Sequence, residues 1–86
     1  MEDTYIFKEE KELYSIIGKN IRYYRKLYSL TKKELTQEKL AEIANVSTSL
    51  IGNLESRKTH QGISIFNLYK ISNILEVPIE NFFIDR

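Results

Sequence analysis

Cysteine and tryptophan are absent from this 86-residue chain, and only one proline and three glycines interrupt it. Without cysteine there is no disulfide, no thiol nucleophile and no thiolate metal site, and nothing suggests the stapled scaffold of a small secreted protein. So few turn-forming residues rule out the many tight reversals of an all-β fold and leave long helices as the natural prior. No long apolar run occurs, and Met1-Glu2-Asp3 opens the chain without a basic segment. Neither a membrane span nor a signal peptide is therefore expected, and a cytoplasmic setting is. The one histidine, His60, stands in a polar stretch between Thr59 and Gln61, where solvent or a phosphate suits it better than catalysis. Glu9, Glu10 and Glu12 form a carboxylate cluster, but acids are at home at the start of a helix. No nucleophile, oxyanion site or metal-ligand spacing accompanies them, so neither an enzyme nor a cofactor is expected.

The formal net charge is only +1, yet it is unevenly spread. Residues 1–12 carry five acids against Lys8 and Lys11, a balance of −3. Residues 19–58 carry nine bases (Lys19, Arg22, Arg25, Lys26, Lys32, Lys33, Lys39, Arg57, Lys58) against Glu34, Glu38, Glu42 and Glu55, a balance of +5. A basic stretch of this kind is the usual footprint of phosphate binding. The length suits a single domain, with residues 1–12 as an acidic extension and residues 13–86 as the folded unit.

From Leu13, the apolar residues Leu13, Ile16, Ile17, Ile21, Tyr24 and Leu27 recur at helical spacing and predict one face of a long first helix, with Lys19, Arg22 and Lys26 opposite. Residues 29–35 lose that phase and read as a polar, basic connection. Thr36 can cap a short second helix with Leu40, Ala41 and Ala44 inward, and Asn45 suits the left-handed residue that ends it. Val46 fits the turn as a plug, and Ser47 can cap a third helix, reaching Ser56, with Leu50, Ile51 and Leu54 as apolar contacts. Ser64 caps a fourth with Ile65, Leu68, Ile71 and Leu75 inward, and Pro78 opens a short fifth ending at Phe82 and Phe83. The expectation is an all-α, five-helix domain.

At about 100° per residue, Ser47, Ile51 and Leu54 share one side of the third helix, which turns Ser49 and Asn53 outward, flanked by Thr48, Gly52 and Ser56. These are poor helix formers, each giving up ~0.5 kcal/mol relative to the Lys, Glu or Gln of a solvated face. Close approach to another surface is a reason for that loss.

Leu35-Thr36-Gln37-Glu38-Lys39-Leu40-Ala41, then Val46-Ser47, then Ile51-Gly52-Asn53-Leu54-Glu55 resembles the helix-turn-helix of the Cro/repressor (Xre-type) family, and the likeness continues to Val77-Pro78-Ile79-Glu80-Asn81-Phe82-Phe83. The resemblance implies a lambda-repressor-like domain that binds double-stranded DNA and regulates transcription, as a prokaryotic or phage repressor. It assigns base reading to Thr48, Ser49 and Asn53, beside which the outward face adds Gly52, and a phosphate contact to Gln37. Arg57, Lys58, Thr59 and His60, just beyond the third helix, are candidate phosphate contacts, although cations there also suit the helix dipole. Lys32 and Lys33 are further candidates, with a solvated loop as the plainer reading. Arg57 stands where the family usually has glycine, and five extra residues separate the first helix from Thr36.

One recognition helix without Arg or Lys on its reading face discriminates few base pairs, so a homodimer is expected, with Ile79, Phe82, Phe83 and Ile84 as its interface. The competing arrangement puts those four residues in the monomer core, under Tyr5, Ile6 and Phe7. The alternative function is a helix-turn-helix module that binds a partner protein, as an antitoxin-like or co-regulator element.

Overall fold

Backbone polarity at helix ends decides where the elements of this chain begin and stop. The computed structural model describes residues 9–57 and 60–86. Its elements are α1 (Glu10–Thr31), α2 (Gln37–Ala44), α3 (Thr48–Ser56), α4 (Ile65–Leu75) and a C-terminal 3-10 helix (Ile79–Phe83), with no strand among the described residues. Hydroxyl caps open α2, α3 and α4: Thr36 accepts from the Lys39 amide at 3.0 Å, Ser47 from Leu50 at 3.1 Å and Ser64 from Asn67 at 3.1 Å. Each cap satisfies a donor that the first helical turn leaves unpaired. Asn45 ends α2 in the left-handed region (φ 58°), and Arg57 (φ 57°) and Glu76 (φ 61°) end α3 and α4 in the same way. Arg57 and Glu76 are neither Gly nor Asn, so each holds a conformation costing roughly 1–2 kcal/mol.

Several sequence expectations need correction. Helix α1 begins at Glu10, ahead of Leu13, because Glu10, Lys11 and Glu12 are good helix formers with acids in the first turn. It also runs on to Thr31, so residues 29–31 are helical and the connection is shorter than expected. That connection is not merely solvated: Leu35 is buried, its amide donates to Ser29 Oγ at 2.9 Å, and Ser29 Oγ donates back to the Leu35 carbonyl at 3.3 Å. The fifth element is a 3-10 turn rather than an α-helix, held by the Asn81 amide on the Pro78 carbonyl at 3.0 Å. Leu27 and Ile65 point outward; α4 is apolar around more of its circumference than the core covers, leaving Ile65, Phe66 and Tyr69 exposed.

The core joins Ile17, Ile21 and Tyr24 of α1 to Leu40, Ala41 and Ala44 of α2, Ile51 and Leu54 of α3, Leu68, Ile71 and Leu75 of α4, and Phe82. Val46 is half-buried against it, as the plug in the α2–α3 turn should be. Helices α1 and α3 approach closely, and the Leu54 carbonyl oxygen would be 1.8 Å from a β-carbon on Gly18. Only glycine lets the two backbones meet there. Gly18→Ala should therefore force the helices apart, and an overpacking cost of roughly 3 kcal/mol, reduced by up to ~1 kcal/mol of helix propensity, predicts a fall in Tm of about 10 °C in a thermal melt. An unchanged Tm would show that the crossing is looser than described.

Candidate nucleic-acid interface

Burying a charge next to the solvent-facing helix is costly unless it is fully partnered, and Glu55, the penultimate residue of α3, meets that condition. Its side chain is 1% exposed and receives Arg25 in a two-pronged contact, Nε to Oε2 at 2.7 Å and Nη2 to Oε1 at 2.8 Å. The third nitrogen, Arg25 Nη1, donates to the Leu35 carbonyl at 3.0 Å, and Gln37 Nε2 donates to Glu55 Oε1 at 3.0 Å. Hydrogen bonding to Glu55 holds the Arg25 guanidinium above its ordinary pKa, against the downward pull of burial, with the charges of Glu55 and Glu38 adding to the rise. One carboxylate thus ties α1, the connection before α2, the first residue of α2 and the end of α3 into one rigid unit. Exposed Arg22 Nη1 stands 4.0 Å from the same oxygen, on the rim.

On that support, Thr48 and Ser49 stand exposed in the first turn of α3, and Gly52 and Asn53 follow half-buried one turn on. Helical spacing puts Ser49 opposite the buried Ile51 and Leu54, with Thr48 and the half-buried Gly52 and Asn53 to its sides. Asn53 is less free than sequence suggests: its Nδ2 donates to Gln61 Oε1 at 3.3 Å. Gln37 is also engaged, through Glu55, and keeps one amide hydrogen and its oxygen for other partners. The Gln37 oxygen lies 3.6 Å from where a Gly52 β-carbon would sit, an ordinary contact, so packing alone does not require glycine at that position.

Arg57 is exposed at the end of α3, where its amide donates to the Asn53 carbonyl at 3.2 Å. His60 Nε2 faces Glu10 Oε1 at 3.4 Å, an ion pair only when the imidazole is protonated. Lys58 and Thr59 lie outside the described residues, as do Tyr5, Ile6 and Phe7. Lys32 makes an exposed ion pair with Glu76 and its nitrogen lies 5.5 Å from the centre of the Tyr28 ring, whereas Lys33 is exposed. Among the C-terminal residues, Phe82 is fully buried, which takes it out of the expected intersubunit surface; Ile79 packs half-buried on the core, and Phe83 and Ile84 remain exposed.

A helix-turn-helix family model matches residues 21–82, from the middle of α1 to the C-terminal turn. The chain belongs to the Xre/Cro-type helix-turn-helix family. This is a family of DNA-binding regulators. No curated protein matches the chain. The matched region takes in the whole of α2, α3 and α4. The first half of α1, up to Asn20, lies ahead of the matched region.

Sequence reasoning overlooked three residues that build this surface: Arg25, Glu55 and Gln61. Arg25 sits one turn after Ile21, inside the apolar stripe of α1, and a charge in such a stripe signals a buried partner. Glu55 follows Leu54 at the end of the motif and is its acidic match. Glu55→Gln should leave Arg25 buried without a counter-charge and lower stability by about 3–5 kcal/mol, read as a shift of the urea midpoint. Replacing the pair together, Arg25→Met with Glu55→Leu, should recover much of that loss; equal losses in both variants would mean the ion pair is not coupled.

Proposed function

We propose that this regulator binds double-stranded DNA sequence-specifically with α3 in the major groove, and that it acts as a repressor. The observation that carries this reading is the contrast across α3. Its inner side is locked by Ile51, Leu54 and the Glu55 network, while its outer side offers only small polar groups, Thr48, Ser49, Gly52 and Asn53. A helix fixed in orientation and stripped of bulk can bring its backbone close to base edges. Thr48, Ser49 and Asn53 are then the base readers. Gln37, at the start of α2, and Arg57, beyond α3, grip phosphates on either side, with His60 next to them. Occupying a groove excludes other proteins from it, so repression needs nothing beyond binding. Two protomers on a pseudo-palindrome, their recognition helices about 34 Å apart, would supply the specificity that one small polar face lacks. Phe83 and Ile84, with the half-buried Ile79 beside them, are the C-terminal residues that would make that contact.

Nuclease footprinting on DNA flanking the chain's own gene should reveal a protected pseudo-palindrome, and transcription from a promoter overlapping it should fall as protein is added. A rise would mark an activator. Log affinity should fall with log salt, and Arg57→Ala should flatten the slope by about 0.9; a flat slope in the parent protein would favour a protein-binding module instead. Gly52→Ala should raise stability by up to ~1 kcal/mol while weakening operator binding several-fold, and an undiminished affinity would remove Gly52 from the reading face. Sedimentation at micromolar concentration should show a dimer on a palindromic duplex, weakened by Phe83→Asp; one protomer per duplex would end the dimer proposal.

A further inference from the structure

Gln61 lies in the segment between α3 and α4, half-buried, and both ends of its carboxamide are engaged. Its Nε2 donates to the Gly62 carbonyl at 2.9 Å, and its Oε1 accepts from Asn53 Nδ2 at 3.3 Å. The anchor is firm, because Gly62 is pressed against the Tyr14 ring of α1: a β-carbon on Gly62 would lie 3.3 Å from two of its ring carbons. A backbone carbonyl can only accept. The nitrogen of Gln61 must therefore face Gly62, its oxygen must face Asn53, and the amino group of Asn53 must turn toward Gln61. Side-chain amides are otherwise nearly symmetric in shape and flip at little cost, so it is the hydrogen-bond network that fixes which end is which.

We infer that Gln61 is a positioning residue for base reading: it holds the Asn53 carboxamide in one of its two flipped orientations and so fixes the order of donor and acceptor that α3 shows to the major groove. The inference rests on the proposed reading of Asn53 as a base contact. With one Nδ2 hydrogen given to Gln61, Asn53 keeps the other hydrogen and its Oδ1, one donor beside one acceptor. Adenine presents the complementary pair, the N7 acceptor and the N6 amino donor, whereas guanine presents two acceptors. An amide free to flip would show either order and discriminate less. Gln61 touches no base in this arrangement; it acts through Asn53, from a segment that sequence reading assigns only to a polar loop.

The test is a comparison of base preference across the operator half-site, measured by anisotropy with duplexes carrying each of the four pairs at every position. Asn53→Ala should flatten the preference at one base pair per half-site. Gln61→Leu and Gln61→Met, which keep the bulk but lose the amide, should flatten the preference at that same base pair, by about fivefold or more of the tenfold-scale discrimination a bidentate contact provides. Binding to non-specific DNA should stay within about twofold. Gln61→Glu retains an acceptor for Asn53 but loses the donor to the Gly62 carbonyl, so it should keep more of the preference than the apolar variants, while its added charge weakens binding to all sequences alike. Either apolar variant that melts like the parent protein suffices for the comparison. If Asn53→Ala flattens the preference and the apolar Gln61 variants weaken all sequences equally, the positioning role is overturned and the base-reading role stands. If Asn53→Ala leaves every preference intact, Asn53 does not read bases, and both fall.

Discussion

A single buried carboxylate organises the helix-turn-helix half of this protein. Glu55 and Arg25 are 30 positions apart in sequence, and their two-pronged contact closes the distance between α1 and α3. Arg25 simultaneously secures the connection before α2 through the Leu35 carbonyl, and Glu55 secures the start of α2 through Gln37. Desolvating two charges is expensive, and such a pair adds little net stability compared with apolar residues of the same shape. What it adds is direction. Apolar side chains tolerate sliding and rotation; a guanidinium fork on a carboxylate admits one geometry. The backbone meeting at Gly18 and Leu54 sets the separation of the same two helices. Distance and orientation are thus fixed by different devices at one crossing.

Local chemistry was legible in the sequence wherever partners lie within a few residues. The caps at Thr36, Ser47 and Ser64 and the left-handed Asn45 are decided by neighbours three or four positions away, and they stand where the residue types put them. The α2–α3 motif, with Leu40, Ala41, Ile51 and Leu54 inward, was legible because its spacing is dense and short. Contacts across the fold were not. Nothing near Gly18 in sequence announces the Leu54 carbonyl, and nothing near Gln61 announces Asn53. Periodicity also overreached at Leu27 and Ile65, since it ranks the sides of a helix without saying how much of each side a small core can cover.

The C-terminal segment shows how a polar residue can do work that apolar patterning assigns to hydrophobes. Asn20 is fully buried in α1; its Nδ2 donates to the Phe82 carbonyl at 2.9 Å and the Ile84 carbonyl at 2.8 Å, and its Oδ1 accepts from Arg86 Nε at 2.9 Å. With the amide so occupied, the segment is pinned to α1 and Phe82 is delivered to the core against Tyr24, ring centres 5.4 Å apart. Arg86 then lies over the rings of Tyr23 and Tyr24, 5.0 Å from each, where a cation and an aromatic face attract. Reading Phe82 as an intersubunit contact from its apolar character misses this, because the anchoring group is an amide 62 positions earlier.

The support behind α3 and the residues on its outer face are largely separate sets of side chains, and that separation bears on how the protein can diverge. Thr48 and Ser49 are exposed in the first turn, away from the Glu55 network, so exchanges there leave the scaffold intact. Asn53 is tied through Gln61 to the segment leading into α4, so a change at either position disturbs the other. Descendants of this chain can therefore drift quickly in the first turn of α3 while changing slowly and in concert at positions 53 and 61. Lineages that share a scaffold would come to differ first at one end of the helix.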